Sequence, residues 1–364
     1  MKTLIQILAG LFLIAVCEQA FSAETNSSRW RDARELALEG KGWNDTKDFY
    51  DRLPARAEKN VRPPVWNLSR DSAGMCVRFV TDASAISARW TLRKESLAMP
   101  HMPASGVSGV DLYVRDKGKW QWLGSGRPDK FPTNERVLVK DLRHERREFI
   151  LYFPLYNGVS EVQIGVSAEA KFESARAGDN KPIAFYGTSI LQGGCVSRPG
   201  MAYPAILGRR FNWPAINLGF SGNALSEPEI AKLLAELDPA VYVLDPLPNM
   251  GAEYVRERSQ NFIQTLRKAH PKTPIVLVEN VKYPDGQFVE PRRKRYSEAN
   301  AELKKIYERL VRAGDKKLFY VAAKNLYGLD GEATVDGAHP TDLGFMRMAD
   351  AIEPTLRRAL KASR

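Results

Sequence analysis

From Gly74 to Val166 apolar and polar residues alternate in short runs separated by Gly, Asp and Lys turns. Cys76-Val-Arg-Phe-Val, Ile86-Ser-Ala-Arg-Trp-Thr-Leu, Val110-Asp-Leu-Tyr-Val, Trp120-Gln-Trp-Leu, Arg136-Val-Leu-Val, Glu148-Phe-Ile-Leu-Tyr-Phe and Val162-Gln-Ile-Gly-Val all carry this period of two. Successive side chains of a strand point to opposite faces, so each run predicts a strand with one face in a core. Their spacing predicts an antiparallel, jelly-roll-like β-sandwich. Upstream, residues 29–70 mix Trp, Gly, Asp and Pro without a period and predict an irregular opening with at most one strand.

Lys171–Lys181 is polar and aperiodic, which predicts a domain boundary. Beyond it the pattern changes. Ile183–Tyr186, Ala215–Leu218, Val241–Leu244, Ile275–Val278 and Leu318–Val321 are apolar without interruption, as strands buried on both faces are. They alternate with helical segments near Ala202–Phe211, Glu227–Glu236, Ala252–Ala269, Arg292–Ala313 and Asp342–Leu360. Strands alternating with helices predict a parallel sheet covered on both faces, a flavodoxin-like three-layer α/β/α domain. The expected organisation is a leader over residues 1–23, a β-sandwich over 24–176 and the α/β domain over 177–364.

Composition fits this division. The chain has 364 residues, enough for two domains, and its hydrophobic fraction of 44% is that of a globular protein. The first residues add an address. Lys2, the apolar run Leu4–Val16 and Ala20-Phe21-Ser22 read as a signal peptide, and the run is too short to span a bilayer. Cys17 raises a lipoprotein alternative, although Val16 suits a lipobox poorly. An exported protein with no transmembrane segment is expected, either periplasmic or extracellular. The net charge of +11 is spread along the chain, apart from Arg292-Arg293-Lys294-Arg295. No motif turns it into specific nucleic-acid binding.

The strand ends carry the candidate chemistry. Ligands of open α/β sheets bind beyond the carboxyl ends of the strands, where Gly187-Thr188-Ser189 follows the first apolar run. Ser189 is either a nucleophile lifted from the sheet by a sharp turn at Gly187 or a helix cap. Ser221-Gly222-Asn223, Asn249 and Asp336-x-x-His339 follow later strands and share that edge if the sheet is parallel. A hydroxyl nucleophile, a base, an orienting carboxylate and oxyanion donors are what acyl-ester hydrolysis needs. Of the four histidines, only His339 follows the last strand and opens the last helix. Asp336 either orients it or simply forms a turn. Gly222 and Asn249 are likewise oxyanion candidates or ordinary loop residues. Cys195 is a rival nucleophile or a buried core residue, and a Cys76–Cys195 disulfide stays open. Near the strand ends, Arg198 and Tyr203 either line the pocket or cap helix ends, and Glu279 is either a substrate contact or a structural hydrogen-bonding residue. No spacing suggests metal ligands and no loop suggests a nucleotide, so neither metal nor cofactor is expected.

Gly187-Thr188-Ser189, Phe220-Ser221-Gly222-Asn223, Asn249 and Asp336-x-x-His339 resemble, in order and separation, the four blocks of the SGNH (GDSL-type) hydrolases. Met99-Pro-His-Met102 and Gly109-Val-Asp-Leu-Tyr113 are similar to the N-terminal β-domain of an exported bacterial branch of that family. The resemblance implies Ser189 as nucleophile, His339 as general base, Asp336 as its orienter, and an oxyanion hole of Ser189, Gly222 and Asn249. It also implies a serine esterase acting on short acyl esters, acetyl on carbohydrate being the favoured substrate. The alternatives are a lipid esterase or lysophospholipase, and an inert carbohydrate- or surface-binding protein. Two positions depart from the family pattern: Thr188 replaces Asp, and Leu-Pro-Asn-Met replaces Gly-x-Asn-Asp. The second Gly of a G-x-S-x-G elbow is missing too, unlike an ordinary α/β-hydrolase.

Overall fold

The computed structural model describes residues 28–363 except Ala177 and Asp179. The leader expected over residues 1–23, with its Cys17, lies outside the described residues.

Five strands form one parallel sheet: Ile183–Gly187, Ala215–Gly219, Val241–Asp245, Ile275–Val278 and Leu318–Val321. Their order is second, first, third, fourth, fifth. That is the flavodoxin-like order, with its switch point beside the first strand. Gly187 pairs with Gly219 on one side and Asp245 on the other, so three strands end level where Ser189 begins. Both faces are covered. Tyr203–Phe211 and Asp342–Ala362 pack with Phe185, Val243 and Val276 on one face. Pro228–Leu234, Gln260–Ala269 and Glu290–Arg312 pack with Tyr186, Tyr242 and Leu277 on the other.

The N-terminal region holds two antiparallel sheets. One is built from Ser28–Asp32, Val159–Ser167, Ile86–Leu92 and Thr133–Val139. The second runs Phe172–Ser174, Cys76–Thr81, Arg147–Tyr152, Val110–Asp116, Lys119–Gly126, with Ala37–Glu39 pairing beside Cys76–Thr81. Phe79, Trp90, Leu112, Phe149 and Ile164 fill the space between them, giving the expected sandwich.

Two expectations need correction. Residues 29–70 are more regular than their sequence suggests, with strands Ser28–Asp32 and Ala37–Glu39 and a helix over Pro63–Ser69. The Pro63-Pro64 pair opens that helix, because the first turn needs no N–H from them. The aperiodic 171–181 stretch contains the strand Phe172–Ser174, which pairs with Phe79–Thr81. Trp43, Leu53, Val61, Val65 and Trp66 pack against the parallel sheet's helices, so the opening segment reaches across to the second core.

Candidate active site

Ser189 opens a short helix, Ser189–Gln192, directly beyond the first parallel strand. Thr188 caps it, its hydroxyl accepting from the Ile190 N–H at 3.3 Å. Capping therefore falls to Thr188, which leaves the Ser189 hydroxyl for another partner. Gly187 is not in the left-handed region, contrary to a sharp-turn role. A Cβ there would lie 2.6 Å from the carbonyl oxygen of Asp245, so its reason is the close approach of neighbouring strands.

Ser189 Oγ lies 2.8 Å from His339 Nε2. His339 Nδ1 in turn lies 2.7 Å from Asp336 Oδ2. The other oxygen of Asp336 accepts from the backbone N–H of His339 at 2.8 Å and of Ala338 at 3.0 Å. Burial pushes the Asp336 carboxyl up, but these N–H groups and the imidazole outweigh it and hold the pKa at about 2. Asp336 is thus an ionised acceptor that fixes both the loop and the ring. Ser197 N donates to Asp342 Oδ1 at 2.9 Å, tying the loop after Ser189 to the helix that follows His339.

The Phe220–Ala224 turn lies beside Ser189. Gln192, wholly buried, accepts from Ser221 N at 3.1 Å and donates to the Leu155 carbonyl at 3.0 Å. Gly222 has φ +69°, a left-handed conformation that glycine adopts without strain. Asn249 Oδ1 accepts from the backbone N–H groups of Asn223 at 3.0 Å and Ala224 at 3.1 Å, so this residue braces the turn from beneath. A cavity of about 440 Å³ opens over Ser189 and His339. Its far wall comes from the N-terminal region: Asn67, Asp71, Lys94, Met99, His101 and Met102. A larger groove, about 910 Å³ beside Arg62, Glu227 and Tyr254, contains neither Ser189 nor His339.

Arg198, Tyr203 and Glu279 are not in the cavity wall, and each has a structural partner instead. Arg198 donates to Asp111 at 2.8 Å and also bonds Tyr113 Oη, clamping the loop after Ser189 to the sandwich. Tyr203, fully buried, donates to Asp245 at 3.0 Å. Glu279, just past the fourth strand, accepts from Tyr320 Oη of the fifth at 2.5 Å and from Ala323 N beyond it at 2.7 Å. Cys76 and Cys195 are both free and buried. Burial, with the Asp336 charge behind it, raises the Cys195 thiol to about 12, which disfavours it as a rival nucleophile.

No spacing along the chain suggests metal ligands, yet folding gathers His101, Cys195 and His339, with one ligand atom from each within 4.8 Å of the others. His101 comes from the sandwich and Cys195 from the loop after Ser189, so no sequence window contains the set. Among the described residues no helix is long and apolar enough to cross a membrane.

Residues 180–357 match the GDSL-like Lipase/Acylhydrolase family. Residues 28–172 match the N-terminus of the SGNH hydrolase-type esterases. Among solved structures, one described as a GDSL-like lipase from Bacteroides ovatus ATCC 8483 superposes with a TM-score of 0.87 at 36% identity, covering 92% of this chain and 98% of that one. The salicylyl-acyltransferase SsfX3 of a tetracycline biosynthetic pathway gives 0.73 at 18% identity, covering 91% and 97%. A family two carbohydrate esterase from Clostridium thermocellum gives 0.57 at 16% identity, covering 80% and 96%. At such identities the last two show a shared fold. A search of curated protein sequences finds no match.

Proposed function

Since the chain belongs to the GDSL-like (SGNH) lipase/acylhydrolase family and is an esterase, we propose that it hydrolyses short acyl esters, acetyl groups on carbohydrate above all, through Ser189, His339 and Asp336. The observation that carries this reading is the unbroken chain Ser189 Oγ–His339 Nε2–Nδ1–Asp336, at 2.8 and 2.7 Å. In this mechanism His339 Nε2 takes the hydroxyl proton as Ser189 Oγ attacks the ester carbonyl. The imidazolium, stabilised by Asp336, then protonates the departing alkoxide. Water, activated by the same nitrogen, hydrolyses the acyl-enzyme and restores Ser189.

The developing oxyanion needs donors already in place. Ser189 N–H, at the first helical position, has no intrahelical carbonyl to serve. We assign it to the oxyanion together with the Gly222 N–H and the Asn249 amide. Gln192 joins the Ser189 helix to the turn, and Asn249 braces the turn, so the three proposed donors form one connected unit.

The preference for a carbohydrate ester draws support from Asn67 and Lys94, polar groups of the cavity wall, and from its modest volume of about 440 Å³. A family two carbohydrate esterase shares the fold. The leader expected at residues 1–23 makes this an exported enzyme acting outside the cytoplasm. The test is a substrate series: p-nitrophenyl acetate, butyrate and palmitate, with acetylated xylan followed by acetate release. Faster turnover of acetate than palmitate, with release from xylan, is expected. Palmitate cleavage without deacetylation would overturn the substrate assignment.

A further inference from the structure

Cys195 has φ +75°, in the left-handed region where a side chain is strained and glycine is not. It follows two glycines, yet this third position carries a thiol. Cys76 packs among Tyr113, Ile150 and Tyr152, whereas Cys195 belongs to none of the apolar clusters of the described residues. Two imidazoles lie beside its sulfur. One nitrogen each of His101 and His339 and the Cys195 sulfur lie within 4.8 Å of one another, and the two rings are 5.8 Å apart between centroids.

We propose that His101, Cys195 and His339 form an inhibitory site for a borderline-soft divalent cation, with zinc as its reference ligand. This rests on the esterase reading for its effect on rate, though not for the binding itself. Two nitrogens and a thiolate suit zinc, at about 2.0–2.1 Å to nitrogen and 2.3 Å to sulfur. Ligand atoms around a tetrahedral ion then sit roughly 3.3–3.8 Å apart, so the three need to close by about 1 Å. His101 is exposed at the tip of the Met99–Met102 turn, so rotation of its side chain is the movement the proposal requires.

Coordination replaces the thiol proton, which leaves to solvent, with a sulfur–metal bond. It also claims a nitrogen of His339. Both nitrogens are engaged, one with Ser189 at 2.8 Å and one with Asp336 at 2.7 Å. Whichever is taken, the ring can no longer accept the Ser189 proton while held by Asp336. The site is therefore a switch that turns hydrolysis off, with the sandwich contributing one ligand and the α/β domain two.

The experiment uses the whole protein stripped with EDTA. Cobalt is titrated while the near-ultraviolet thiolate-to-cobalt absorption is followed. In parallel, zinc is titrated against p-nitrophenyl acetate hydrolysis, each protein being scaled to its own metal-free rate. Cys195→Gly suits the left-handed backbone, and His101→Gln changes an exposed ring, so thermal melts check folding in both. We expect a thiolate–cobalt band in the wild type that is lost in Cys195→Gly. The zinc concentration for half inhibition should rise about tenfold or more in either variant, since outer-shell changes alone cost 10–100-fold in affinity. A band lost in the variant from a protein that cleaves no ester would sustain the metal site and refute the esterase. Absence of the band, or equal zinc inhibition in wild type and Cys195→Gly, would overturn the proposal.

Discussion

Arg52 Nη1 donates to the Gly219 carbonyl at 2.7 Å, so a side chain of the N-terminal region grips the end of a strand in the parallel sheet. The same nitrogen reaches Asn217 O at 3.1 Å, Nε reaches Asp71 O at 2.8 Å, and Nη2 reaches Leu68 O at 2.6 Å. The guanidinium also lies over the Phe220 ring, 5.1 Å from its centroid. Burial lowers its pKa to about 10, countered by Asp71, so it remains charged at neutral pH. Arg52→Met would leave the Gly219, Asn217 and Asp71 carbonyls without this donor, at roughly 1–3 kcal/mol each, while Leu68 O keeps the Asp71 N–H at 3.1 Å. Urea unfolding should show a loss of at least about 3 kcal/mol, and Arg52→Lys an intermediate loss.

Asp245 gives a pH signature. Burial raises its carboxyl to about 8, partly offset by the Tyr203 hydroxyl, against an ordinary value of 3.8. Between those values the folded state holds a proton that the unfolded state has lost. Stability therefore falls as pH rises from about 4 to 8 and levels off above, with a slope of at most about 1.4 kcal/mol per pH unit from this group. Asp245→Asn keeps an acceptor for Tyr203 and has no proton to lose. Denaturant melts at pH 5 and pH 8 should show the variant gaining on the wild type at the higher pH.

Thr188 tests the departure from the family's Asp. Thr188→Val removes the hydroxyl that caps the Ser189 helix and should cost about 1 kcal/mol, with a several-fold fall in esterase rate. Thr188→Asp restores a capping oxygen, so both stability and rate should stay near wild type. Thermal melts and p-nitrophenyl acetate kinetics read the two effects.

Asp336→Asn tests the orienting carboxylate. The Asp336 side chain is 42% exposed, so folding should survive. The charge that stabilises the imidazolium is lost, and kcat should fall by about 10² or more with KM little changed. In the wild type the depressed pKa adds stability that is complete above pH 4 and is lost as pH falls through about 2. The variant should lack that acid-side loss.

Much of this was legible because it is local. Period-two alternation gave the sandwich strands, and uninterrupted apolar runs gave the parallel ones, since burial on both faces leaves no polar position. Parallel strands then bring Ser189, Gly222 and Asn249 to one edge without further information. What stayed hidden depends on packing between distant segments. Nothing near Gln192 signals a buried strut to Ser221, and Arg198 reads as a pocket residue until Asp111 and Tyr113 are seen beneath it. The cavity wall of Lys94, Met99 and His101 exists only because the sandwich docks against the α/β layer. Pro63-Pro64 misled for a simpler reason: prolines break helices everywhere except in the first turn.

The most direct test of the account is covalent trapping of the nucleophile. The purified protein is incubated with a fluorophosphonate, its residual p-nitrophenyl acetate activity is followed, and the adduct is mapped by peptide mass spectrometry. The account expects one adduct per chain, on Ser189, rising in step with the loss of activity and strongly slowed in His339→Ala. Full activity with Ser189 labelled, or inactivation that tracks an adduct at Cys195 or elsewhere, would contradict it.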